Sequence, residues 1–91
     1  MTDARIFFLP RGVRMRWDGV RGRQVLLGPE RALLLDEIGH AVMAEVDGES
    51  SVAVIAGRLS RKFEAPVEVI QPDVAEFLDG LLAKRLLEVR P

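Results

Sequence analysis

The residues able to do chemistry are few in this chain, and their types are soon counted. There is no cysteine, which excludes disulfides, thiolate metal sites and cysteine nucleophiles. His40 is the only histidine. A zinc site needs several convergent ligands, and Asp36, Glu37 and Glu45 do not form a convincing set with one imidazole. His40 is therefore read as a partly exposed helix residue. A serine nucleophile needs a base beside it. His40 would be the only imidazole base, and Ser50, Ser51 and Ser60 carry no elbow motif. Ser50 and Ser51 are better explained as helix caps. Neither phosphate-cradling glycine motif, G-x-x-x-x-G-K-[ST] or G-x-G-x-x-G, occurs. A chain of 91 residues also leaves little room for a cavity of enzyme size. The expectation is a protein without catalysis, metal or cofactor.

Charge is the next candidate for chemistry. Seven arginines (Arg5, Arg11, Arg14, Arg16, Arg21, Arg23, Arg31) face three carboxylates in the first third of the chain, a surplus of four. The remainder holds six basic and eleven acidic residues, a deficit of five. This asymmetry suggests a basic face for an acidic partner, although such arginines are equally the solvated side of a half-buried sheet. DNA binding draws on dense positive charge, and the whole chain is slightly acidic at −1. Asparagine is absent and glutamine stands only at 24 and 71, so adenine-reading amides are nearly missing.

The elements that position these groups follow from periodicity. Val13 to Asp18 alternates apolar and polar, the mark of a strand with one buried face; Val13, Met15 and Trp17 would point inward. Asp18 to Gly22 reads as a hairpin connection, and Arg23 to Leu27 as a second strand with Val25 and Leu27 on the core face. Gly28-Pro29-Glu30 is a tight turn before a third strand, Ala32 to Leu35. Asp36 caps a helix whose stripe is Leu35, Ile38, Val42, Met43 and Val46, stopped by Asp47-Gly48. Ser50 or Ser51 caps a second helix, with Val52, Ile55, Ala56, Leu59 and Phe63 inward. Glu64 to Gln71 reads as a loop, and Pro72 as the first turn of a third helix with Val74, Phe77, Leu78, Leu81 and Leu82 on its apolar face.

The order predicts an α+β fold, a three-stranded antiparallel sheet followed by three helices, winged helix-turn-helix-like. The patch Ile6 to Leu9 must pack on the domain or on a neighbouring copy. The tail from Leu87 alternates but is too short to assign. One domain, 1–91, with an apolar arm at 1–9, is expected. No run spans a bilayer and no secretory signal is visible, which fits a cytoplasmic place. If the sheet is a meander, Ala32 to Leu35 lies at its edge, and an open edge pairs readily with an extended peptide.

Asp18, Arg21-Gly22-Arg23, Val25-Leu26-Leu27, Pro29-Glu30, Leu33, Leu35, Asp47-Gly48, Ser51-Val52, Ile55, Leu59, Asp73-Val74, Phe77-Leu78 and Leu81 are similar to the PqqD family of pyrroloquinoline quinone (PQQ) biosynthesis. The likeness runs from about Pro10 to Leu87; Asp36 stands where many relatives have asparagine. The resemblance implies a recognition element that binds the PqqA precursor peptide and presents it to PqqE, a radical S-adenosylmethionine enzyme. It implies a peptide along the third strand and third helix, at Ala32, Leu33, Leu34, Leu35, Val74, Phe77, Leu78 and Leu81. About half of these eight are expected in the core, with Leu33 and Leu35 on one face of the strand and Leu34 on the other. No nucleic acid and no membrane are expected as partners, and the protein is expected as a monomer or arm-exchanged homodimer. The alternative reading is a winged-helix DNA-binding regulator.

Overall fold

A computed structural model of the chain describes residues 3–90. The elements run β1 (Ile6–Phe8), β2 (Arg14–Asp18), β3 (Arg23–Leu27), β4 (Ala32–Leu34), α1 (Glu37–Ala44), α2 (Val52–Phe63), α3 (Val67–Ala83) and β5 (Glu88–Arg90). β2, β3 and β4 form the expected antiparallel meander in that order. No helix is long and apolar enough to cross a membrane among the described residues.

The register fixes the faces. Met15, Leu26 and Leu33 are cross-strand partners, and so are Arg16, Val25 and Leu34. Leu26 is fully buried among the helices, with Met15 and Leu33 packed against the same core. This corrects the expected inward pair Val25 and Leu27: β3 presents Leu26 to the core, and its two apolar neighbours lie on the opposite face. Three successive apolar residues carry no alternation, so only their partners on β2 and β4 decide the side. Trp17 is a second correction. Its parity is inward, yet it lies at the end of β2 and is 59% exposed.

The first two helices start as their caps dictate. Asp36 accepts from the Gly39 amide at 2.6 Å and Ser51 from the Val54 amide at 3.2 Å. α1 is shorter than its stripe implied, ending at Ala44, and Ile38 is 63% exposed rather than inward. The chain between α1 and α2 is pinned by Asp47. Its carboxylate accepts from the amides of Glu49 (2.9 Å) and Ser50 (2.7 Å) and from the Ser50 hydroxyl (2.9 Å), while Arg58 donates to that hydroxyl at 2.9 Å. These donors hold the carboxyl well below its ordinary 3.8, at about 2.

α3 overturns another expectation. It begins at Val67, so the loop is only a few residues long, and Pro72 is the sixth helical residue instead of opening the helix. Proline there removes one bond to the Glu68 carbonyl. Both residues are exposed, where water can serve that carbonyl, and the inward series Ile70, Val74, Phe77 continues through the site.

The N-terminal patch packs on its own chain. β1 pairs antiparallel with β5, Phe7 opposite Val89, and Phe7 is buried in the core. Arg5 donates to Asp79 of α3 at 2.7 Å and to Asp3 at 2.8 Å, which lowers the Asp3 pKa. The arm thus joins the two ends of the chain to α3.

Two outcomes test this packing. Leu26→Ala should destabilise by about 2–5 kcal/mol through cavity formation, and Leu27→Ala by under about 1 kcal/mol. Urea denaturation with an unchanged slope reads both, and the reverse order would place β3 the other way round. A depressed folded pKa stabilises fully above the unfolded value and loses that contribution as pH falls through the folded one. The melting-temperature gap between the wild type and Asp47→Ala should therefore be constant above pH 3.8 and shrink toward pH 2. Melts at a series of pH values check this; an equal gap at pH 2 and pH 7 counts against the carboxylate.

Candidate functional site

Among the described residues, β4 ends its sheet with no partner strand on its outer edge. Its hydrogen-bonding parity can be read from two bonds. Leu35 donates to the Gln24 carbonyl at 2.9 Å, and Gly28 donates to the Arg31 carbonyl at 2.8 Å. Hydrogen-bonded and non-hydrogen-bonded pairs alternate along an antiparallel ladder. Arg31, Leu33 and Leu35 therefore turn their backbone groups toward β3. Ala32 and Leu34 turn theirs outward, and no turn or loop backbone bond reaches these four groups among the described residues. The edge offers two donors and two acceptors in the spacing of a strand.

Beside this edge runs α3, and between them lies a groove of about 400 Å³. Leu33, Phe77 and Leu81 supply its apolar lining; Asp73, Glu76, Gly80 and Lys84 complete it. Phe77 is set by α1. A Cβ on Gly39 would stand 3.2 Å from its ring, so glycine at that position lets the ring lie against the helix start. Gly80 is different: a Cβ there would meet nothing within 4 Å, which leaves a gap in the helix surface that opens onto the groove.

The eight residues expected at the site divide. Leu33, Phe77 and Leu81 are brought together in the groove, although most of Leu81 is buried. Ala32 and Leu34 carry the open edge and line a second depression on the far face of the sheet. Leu35, Val74 and Leu78 are buried in the core cluster and do not line this groove. Leu35 lies just past the strand, where its amide closes the ladder to Gln24. Asp73, Glu76, Gly80 and Lys84 were missed. Their spacing of three and four along one helix was visible, but polar residues on a helix ordinarily face solvent.

A bare strand edge, a helix wall and an apolar slot between them have the form of a small binding domain. The comparisons give that class its family. The description "Coenzyme PQQ synthesis protein D (PqqD)" matches residues 23–87. A PqqA binding protein of Rhizobium meliloti strain 1021 is 47% identical over 89 residues, covering 98% of this chain and 91% of that protein. The bifunctional coenzyme PQQ synthesis protein C/D of Methylorubrum extorquens is 46% identical over 80 residues; the match is 88% of this chain and 22% of that longer protein. Among solved structures, the solution structure of the PqqD truncation of Methylobacterium extorquens PqqCD, a RiPP recognition element, aligns with a TM-score of 0.79 at 44% identity over 91% of this chain and 88% of that one. The crystal structure of PqqD from Xanthomonas campestris aligns at 0.62 and 42% identity, covering 88% of this chain and 89% of that one. The chain belongs to the PqqD family.

The edge parity has a direct readout. Amide exchange in the free protein should be fast at Ala32 and Leu34 and slow at Leu33 and Leu35, because only the latter pair donates into the ladder. Nuclear magnetic resonance exchange measurements check it; protection at Ala32 and Leu34 would mean the edge is already paired.

Proposed function

We propose that the chain binds the PqqA precursor peptide as an added strand on β4 and presents it to the radical S-adenosylmethionine enzyme PqqE. The observation that carries this reading is the outward backbone of Ala32 and Leu34 facing the slot lined by Leu33, Phe77 and Leu81. Peptide-binding relatives of nearly full coverage support it, and the fused C/D relative supports work alongside an enzyme.

Magnitudes say how the affinity is shared. Four backbone bonds contribute roughly 0.5–1.5 kcal/mol each, and ordering a flexible peptide costs about 2–5 kcal/mol. These nearly cancel, while a micromolar complex needs about 8 kcal/mol. The surplus comes from apolar side chains entering the slot, at roughly 1.5–3 kcal/mol each. Since successive side chains of a strand alternate, every second peptide residue turns toward α3 and should be apolar.

The regulator reading has less behind it. α2 would be the recognition helix, but Arg58 is turned to Ser50, Glu45 and Asp47. That leaves Arg61 and Lys62 as its free cations among the described residues.

Gly80→Leu tests the slot. It should leave the domain folded, since nothing opposes the new side chain and leucine favours the helix. It should weaken PqqA binding by about tenfold or more, the equivalent of 1.4 kcal/mol. Ala32→Pro, which removes an outward donor and no ladder bond, should act likewise, whereas Leu33→Pro should destabilise the fold. Calorimetric titration of the folded variants with PqqA peptide reads this; unchanged affinity in both Gly80→Leu and Ala32→Pro would defeat the placement.

A further inference from the structure

The far face of the same sheet carries charge that the fold does not use. Arg14 and Arg16 on β2, Arg21 in the hairpin turn and Arg23 on β3 are all exposed. Among the described residues, the ion pairs engage Arg5 and Arg58 and none of these four. Arg23 donates to the Leu35 carbonyl at 3.2 Å. The face holds one carboxylate, Asp18, whose Oδ1 accepts the amides of Val20 (3.0 Å) and Arg21 (3.2 Å).

These arginines surround an apolar floor. The register puts Arg16, Val25 and Leu34 in one cross-strand row, and Arg14, Leu27 and Ala32 in the next. A groove of about 640 Å³ crosses this face, lined by Arg16, Trp17, Arg21, Val25, Leu27 and Leu34 among others. Arginine stems alone can cover a sheet face by lying across it. Here Val25 is already covered, but Leu27 and Leu34 stay half-buried at the groove and the indole at its border is more than half exposed. Aliphatic floor, exposed tryptophan and unpaired arginines together have the composition of an interface hot spot.

We propose that the outer face of the β2–β3–β4 sheet is a second docking surface, for an acidic polypeptide that sets an apolar side chain on Leu27 and Leu34 between carboxylates paired with Arg16 and Arg21. Charge complementarity selects the occupant. A nucleic acid is the poorer fit, because the apolar floor has nothing polar to offer its phosphates or base edges. The two grooves open on opposite sides of the sheet and meet at β4, where Leu33 borders both; Arg16 and Arg21 border only the outer one. A polypeptide docked here would stand beside a strand added to that edge.

Trp17, the only tryptophan, reports on the groove from its border. The probe is a synthetic peptide of repeating Glu-Glu-Leu, titrated at low salt against the wild type and an Arg16→Glu/Arg21→Glu variant. A saturable blue shift of Trp17 fluorescence is expected, weakened about tenfold or more in the variant and weakened further by salt at about 0.5 M. The same variant should bind PqqA peptide with unchanged affinity. No response to the acidic peptide, an undiminished response in the variant, or an equal response of the wild type to a DNA duplex would overturn the proposal. So would loss of PqqA binding in the variant, since the face would then belong to the peptide site. Failure of the wild type to bind PqqA would count against the peptide reading alone.

Discussion

The outward backbone of Ala32 and Leu34 is the constraint around which the rest of the domain is arranged. An unpaired strand edge is a hazard, because it templates pairing with any extended chain. Here the hazard is limited by length. β4 has three residues, bounded by the Gly28–Arg31 turn on one side and by the Asp36 helix cap on the other. Two outward residues give four hydrogen-bonding groups, too few to hold a chain without side-chain pockets beside them. The edge alone is therefore unselective and weak, and selectivity has to come from what stands next to it.

What stands next to it is α3, and its position is fixed from three sides. Val74, Leu78 and Leu81 seat it in the core with Leu26. Gly39 admits the Phe77 ring at the start of α1. Arg5 ties Asp79 to the N-terminal arm, which is itself paired with β5. The arm is thus part of the site's support without touching it: the β1–β5 pair closes the chain end just after α3, and Leu86 and Leu87 are buried between them. The supports of α3 come from both ends of the chain, while the slot itself is lined by β4 and α3.

Local pattern made much of this legible. Val13 to Asp18 alternates, Asp36 and Ser51 cap helices, and turn residues separate the strands, so the meander and two helix starts follow from the residues. The remainder depends on partners far along the chain. Val25-Leu26-Leu27 shows no period, and the choice of Leu26 as the core residue is made by Met15 and Leu33 across the ladder. Pro72 resembles a helix start, and only the burial of Ile70 one turn earlier carries α3 back to Val67. β1 and β5 are three residues each, and neither exists without the other. At the site, Leu33 and Phe77 were legible as apolar residues near an edge. Leu35, Val74 and Leu78 look the same in sequence, and only the packing sends them to the core. Gly80 carries no signal of its own, since its contribution is the space it leaves.

The sheet meets two chemically different surroundings through alternate residues of one strand. Leu33 packs toward the helices and lines the slot, although it also borders the arginine-rich groove, and Leu34 faces away and lines that groove alone. A chain added to the edge continues this alternation, so one half of its side chains enters the apolar slot and the other half points to solvent on the opposite side. The affinity of such a chain depends mainly on the first set, where burial is worth roughly 1.5–3 kcal/mol per side chain. The second set lies in solvent and adds little to that affinity, which leaves the arginine face to a separate partner. One short strand can therefore separate holding a peptide from meeting a second partner, because the pleat itself keeps the two surfaces apart.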